Sequence, residues 1–434
     1  MKKYKIIILV CIFTLLGIFI GRVTNKNNVY KENENNQMKK QVNTISMMLE
    51  TEAGSGKYEM TTRDSWPTEG YVFNSTLSKC ENGGELSWDD TNKKVLMSGN
   101  ISDKCYVYFD IETKVFLADY VKSLYTGTQG DNNIYYHDSS LENGAGDNSY
   151  RYAGSSETTN NYVCFGSDAD TCPEDNLYRI IGVFDGKVKL IKSTGTTNTL
   201  LGTDGTYTSN SRSYAWTDLD SCPSTTAYKF DNNVVVLSNK NILGAVPDGG
   251  KSGCNMWKYS NLNSVNLNTN FITNLGIKWA ALVDNATWKV SGYSTANVTA
   301  KTMYTAEITN ATKTYGPSDG TSKIGLMYAS DYGFAASPSA WTTLLSSYND
   351  SSIKSTNWIY NAGMEWTMTP YSSDSYSVFI LSYVSTVSNT GNLGTWSSLG
   401  AAAGFGTRPA MYLNASVVYT RGSGTASDPI RIEI

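Results

Sequence analysis

Tyr178-Arg-Ile-Ile-Gly-Val-Phe184, Asp185-Gly186, Lys187-Val-Lys-Leu-Ile191 is the stretch on which the fold turns. Two runs rich in β-branched and aromatic residues flank an Asp-Gly pair. That pair supplies the positive φ angles of a type I′ turn, so the stretch predicts a tight β-hairpin. On its C-terminal side, through Ile434, only short strands, turns and one or two short helices can be read, with no linker. On its N-terminal side Tyr162-Val-Cys164-Phe165 reads as another strand. Before it lies a long polar loop, and before that a helix capped by Thr113. Phe116, Leu117, Tyr120, Val121 and Leu124 share one face of this helix, and Gly127 stops it. Residues 113–434 therefore read as one continuous domain.

Further out, residues 58–112 predict a small β-module. Leu86-Ser-Trp88 and Val95-Leu-Met97 form a hairpin around a polar turn, and Cys105-Tyr-Val-Tyr-Phe109 alternates as a closing strand. Residues 23–57 form a polar segment in which Met38, Val42, Ile45 and Leu49 recur at spacings of four, three and four. That pattern predicts a helical stalk. Residues 1–22 carry Lys2, Lys3 and Lys5 before an apolar run from Ile6 to Gly21 with no small-residue cleavage site. The run predicts a transmembrane signal-anchor, with a cleaved signal as the alternative. The expected fold class is thus α+β and β-dominated: a transmembrane helix, a small β-module and a larger domain.

Composition agrees with twisted, turn-rich β-structure. Aromatic residues make up 12%, with 30 Tyr and 10 Trp, while charged residues are only 17%. Polarity falls instead to Asn, Ser, Thr, Gly and Tyr, which suit pleats and corners. A net charge of -4 without a basic patch argues against nucleic acid as a partner. Apart from Cys11, six cysteines remain: Cys80, Cys105, Cys164, Cys172, Cys222 and Cys254. An even number suits disulfides in an oxidising compartment. Sequential pairing (Cys80–Cys105, Cys164–Cys172, Cys222–Cys254) keeps each bridge inside one plausible unit, and six reduced thiols is the alternative. Together with the anchor, this places the large domain outside the cell on a single-pass membrane protein.

The motifs WPTEGYVF, CENGGELSWDDTNKKV and DKCYVYFD (66–110), YVCFGSD with LYRIIGVFDGKVKLIK (162–192), and GTRPAMYLNASVVYTRGSGTASDPIRI (406–432) carry a resemblance. They resemble uncharacterised signal-anchored surface proteins of low-GC Gram-positive bacteria that end in a domain of unknown function. The C-terminal part is also similar to C-type-lectin-like folds of the formylglycine-generating-enzyme type. In such folds a Gly-x-Arg-Pro element precedes the last core strands, and Gly406-Thr407-Arg408-Pro409 matches it. The resemblance implies a structural Arg408, whose planar fork of five donors can tie neighbouring loops together.

Chemistry is argued against by missing parts. The only histidine is His137, which denies the chain a Ser-His-Asp or Cys-His arrangement and a zinc cluster. No G-x-S-x-G, H-E-x-x-H or Walker-A motif occurs. The acids Asp168, Asp170, Glu174 and Asp175, and Asp131, Asp138 and Asp147, lack EF-hand spacing. No catalytic residue, metal or cofactor is therefore assigned. A glycan-active enzyme needs only two carboxylates, for which Glu307 and Glu365 stand in aromatic surroundings. The richest recognition chemistry lies between Trp366 and Phe405. There Tyr371, Ser372, Asp374, Tyr376, Tyr383 and Trp396 combine rigid rings with small adaptable hydrogen-bonding groups, as paratopes do. The reading is a surface-displayed adhesion or receptor protein that recognises an extracellular glycan or protein through these loops. A glycan-active enzyme and a purely structural surface protein are the alternatives.

Overall fold

A computed structural model describes residues 44–433. The breaks fall at 68, 100–102, 210–212, 217–225, 231–232, 238–255, 312–318, 349–350, 362, 373–377, 382–383, 386–387, 390–392 and 396–403. The chain divides into two compact units, Met1–Thr113 and Lys114–Ile434.

In the first unit β1 (Thr44–Glu50) lies parallel to β7 (Lys104–Ile111), and β2 (Tyr58–Met60) pairs with the other edge of β1. β3 (Tyr71–Phe73) and β4 (Lys79–Cys80) both add antiparallel to β7. The hairpin of β5 (Glu85–Asp89) and β6 (Lys94–Ser98) forms its own two-stranded sheet. Leu86, Trp88 and Val95 from that hairpin pack on a core of Met47, Val107 and Phe109. Cys80 sits opposite Cys105 in the ladder, and the two are bridged with Cα atoms 4.0 Å apart. Such a staple suits a unit whose core is this small.

Two expectations are corrected here. The spacing from Ile45 to Leu49, read above as a helical seam, belongs to strand β1. A spacing of four satisfies period two as well as period 3.6. Ile45, Met47 and Leu49 face Cys105, Val107 and Phe109 across the parallel ladder, and that long-range pairing decides the matter. The spanning helix expected at 1–22 lies outside the described residues. Among the described residues no helix is long and apolar enough to cross a membrane, so an α+β fold led by a transmembrane helix is withdrawn.

The second unit is built on an antiparallel sheet whose centre is the hairpin of β12 (Leu177–Phe184) and β13 (Lys187–Lys192). Its turn carries φ of 47° at Asp185 and 75° at Gly186, the two positive angles that the Asp-Gly pair calls for. β12 continues to β10 (Ser149–Tyr152) and then β9 (Ile134–His137), while β11 (Tyr162–Cys164) also pairs with β12. β13 continues to the strand Ala410–Tyr412 and then Ile324–Gly325. Six positions of β12 in a row, Tyr178 to Val183, are buried, as are five of β13. The sheet is therefore covered on both faces.

The helix expected from Thr113 begins later. Val115–Phe116 is β8, paired with Val418–Arg421, and the helix α1 runs Leu117–Ser123 with Leu117, Ala118 and Val121 buried. Phe116 went to the strand because Tyr419 and Val418 offered it a ladder. Cys164 and Cys172 are bridged, with Cα atoms 5.8 Å apart. Cys222 and Cys254 lie outside the described residues.

Candidate functional site

The register of the central sheet assembles a site that no single stretch of sequence announces. Arg151 pairs with Gly182, Gly182 with Lys189, and Lys189 with Tyr412, so these four stand in one row across four strands. Paired residues share a face. Gly182 contributes no side chain between the two cations, which leaves them room on the same side. Both are buried, Lys189 fully and Arg151 to within 2%.

Opposite this row stands the helix Ala329–Phe334. Asp331 in its first turn accepts a hydrogen bond from the Tyr328 amide with one carboxylate oxygen, and so caps its own helix. The same oxygen accepts from Lys189 Nζ at 2.5 Å. The other oxygen lies 3.6 Å from Arg151. Arg151 is held further by Asp147 at 2.6 Å and by Ser149. Two buried cations thus meet two carboxylates, the arrangement that buried charge requires.

Aromatic rings complete the enclosure. Lys189 Nζ lies 4.3 Å from the Tyr328 ring centroid and 5.4 Å from those of Trp288 and Tyr412. Arg151 lies over Phe184, Phe334 and Tyr304 at 4.6, 4.9 and 5.1 Å. Tyr304 ends the helix Ala300–Tyr304, which Thr299 caps by accepting from the Thr302 amide. The chain then widens into a π-turn, Thr305–Thr309, a distortion that recurs at functional sites. The widened turn buries Glu307 and leaves Ile308 half exposed. Glu307 accepts from the Thr369 hydroxyl and, at 3.4 Å, from the Ser330 amide.

A cavity of about 210 Å³ opens against this cluster, bounded by Arg151, Lys189, Asp331, Phe184, Tyr304 and Tyr412, with Ile308 and Asp185 also among its walls. Electrostatics follow from burial. Burial pushes Glu307 up to about 7, with the Asp331 charge adding to the rise and the Ser330 and Thr369 bonds opposing it. Burial also drives Lys189 downward, against the pull of Asp331. For Asp147, burial works upward but is outweighed by Arg151 and by hydrogen bonds from Ser149 and Tyr304, which hold it low. His137, at the end of β9, is fully buried between Phe334 and Trp341 and pushed well below its ordinary value, mainly by burial.

A second buried acid–base pair lies elsewhere in this unit. Arg408 donates to Glu365 at 2.7 Å and to the Ile359 carbonyl at 2.7 Å. Glu365 takes its other bond from Asn361, and the Gly406 carbonyl accepts from the Trp366 amide beside it. Arg408 thus ties three segments together, and neither it nor Glu365 is among the walls of the cavity. Glu307 does not line it either.

Of the aromatic-polar residues singled out in the sequence, Tyr371 is half-buried against the main core, and the Ser372 amide donates to the Tyr293 carbonyl. Asp374, Tyr376, Tyr383 and Trp396 lie outside the described residues. Sequence reasoning weighed Glu307 but passed over Arg151, Lys189 and Asp331. One signal was present: Lys189 sits in the middle of an apolar hairpin strand. For metals, among the described residues only Cys80, Asp103 and Cys105 come close enough to share an ion. The two cysteines are bridged to each other, and Asp103 accepts from the Asn82, Gly84 and Lys104 amides.

No family model, no curated protein and no solved structure matches the chain.

Proposed function

We propose that this chain is a non-catalytic binding protein displayed outside the cytoplasm, and that its 114–434 unit takes the terminal sugar of a glycan into the cavity beside Arg151 and Lys189. The cavity is the observation that carries the reading. Its volume of about 210 Å³ falls below the usual range for drug-sized ligands, which suits one sugar-sized group rather than an extended chain. Its charges are already matched, Arg151 and Lys189 by Asp147 and Asp331, so a neutral, hydroxyl-rich ligand costs least to desolvate there. Phe184, Tyr304 and Tyr412 offer ring faces, and the fixed ion pairs offer oriented donors and acceptors. Two disulfides favour an oxidising compartment.

A glycan-active enzyme fits less well. Its two carboxylates, Glu307 and Glu365, are each engaged with protein groups and stand apart from the cavity walls. A glycan array probed with the full chain tests the proposal. Binding to neutral-terminated glycans, competed by the free terminal monosaccharide, is expected. An array on which no neutral-terminated glycan is retained overturns it.

A further inference from the structure

The contact between Lys189 and Asp331 has features that an ordinary ion pair does not need. The amine and the carboxyl touch at 2.5 Å, 142 residues apart in sequence, both buried to within a few per cent. Tyr328, Trp288, Tyr412 and Phe184 ring the amine within 6 Å. An amine and a carboxyl held in contact in a buried, preorganised site have the effective concentration that favours condensation.

We propose that Lys189 and Asp331 become joined by an intramolecular amide between Nζ and the Asp331 side-chain carboxyl carbon. The step balances without any further reactant. The lysine ammonium passes one proton to the Asp331 carboxylate, giving a neutral amine and a neutral acid. Nζ then attacks the carboxyl carbon, forming the C–N bond and a tetrahedral centre. The extra proton on the nitrogen passes to the departing hydroxyl. The C–O bond breaks and one water leaves, with no change of oxidation state. The adjoining cavity, walled by both residues, gives that water a way out. Burial works against the charged amine and depresses Lys189, with the Asp331 charge opposing it. The bond would clip β13 to the helix Ala329–Phe334 and fix one wall of the cavity whether or not a glycan is bound there, leaving Arg151 with Asp147 as the site's ion pair.

Intact mass of the full chain, with its cysteines reduced and alkylated, tests this. The expected mass is lower by one water than that of the sequence with its cysteines alkylated. Proteolysis should then yield a branched fragment joining the peptide that carries Lys189 to the one that carries Asp331. Lys189→Arg should restore the mass of the uncross-linked chain. A wild-type chain at the uncross-linked mass, with Lys189 recovered in a linear peptide, overturns the proposal and leaves a plain ion pair in an aromatic box. Since the wild-type mass decides the bond by itself, a variant that fails to fold does not obscure the outcome.

Discussion

Two buried acid–base clusters lie within the same unit, and they are built differently. Around Arg408 every strong group is spent within the protein: two bonds go out from the guanidinium, Glu365 is saturated by Arg408 and Asn361, and the pair is sealed from the cavity. Around Asp331 the charges also balance, yet the cluster opens on a cavity, borders a π-turn and has a buried acid poised near neutral pH. Burial of charge alone therefore does not distinguish a fold-holding pair from a functional one. Access to space is what separates the two clusters.

The largest effect that would sharpen the contrast is at Arg408. Arg408→Met leaves Glu365 buried without its cation, and the loss should be about 3–5 kcal/mol in denaturant melts. A change below 1 kcal/mol would break the comparison. Next comes Glu307. Its folded value of about 7 lies above its ordinary 4.5, so the folded state keeps a proton that the unfolded chain has released. Stability should then fall as pH rises from about 4.5 to 7, by about 3 kcal/mol, and level off beyond. Glu307→Gln should abolish that slope.

His137 slopes the other way. Its folded value is depressed, mainly by burial, so the unfolded chain binds the proton first, and stability should be lost as pH falls below about 6.5. His137→Phe should flatten melts over that acidic range, and an unchanged slope would remove His137 from the account. The smallest effect is expected at Asp185 on the rim. Asp185→Asn keeps a residue tolerant of φ 47° and removes one exposed charge, so stability should move within about 0.5 kcal/mol.

Legibility followed sequence distance. The 178–191 hairpin was readable because its turn and both strands are contiguous, and the structure gives it the two positive φ angles expected. The bridges Cys80–Cys105 and Cys164–Cys172 were readable for the same reason of locality. β1 was misread because its deciding partner, β7, begins more than fifty residues later, while its own spacing fits two periods. The Asp331 cluster was missed because its members come from β10, β13, a π-turn and a later helix. Only the sheet register brings Arg151 and Lys189 into one row.

The measurement that tests the contrast most directly is glycan binding beside thermal melts for Arg408→Met and Ile308→Trp in the full chain. Ile308 is a half-exposed wall of the cavity, so an indole there should fill the space without touching the ion pairs. The account predicts that Ile308→Trp abolishes binding with a near-wild-type melting temperature. Arg408→Met should melt far lower, yet still bind at temperatures where it remains folded. Full binding by Ile308→Trp, or its loss in folded Arg408→Met, would contradict the division of roles between the two clusters.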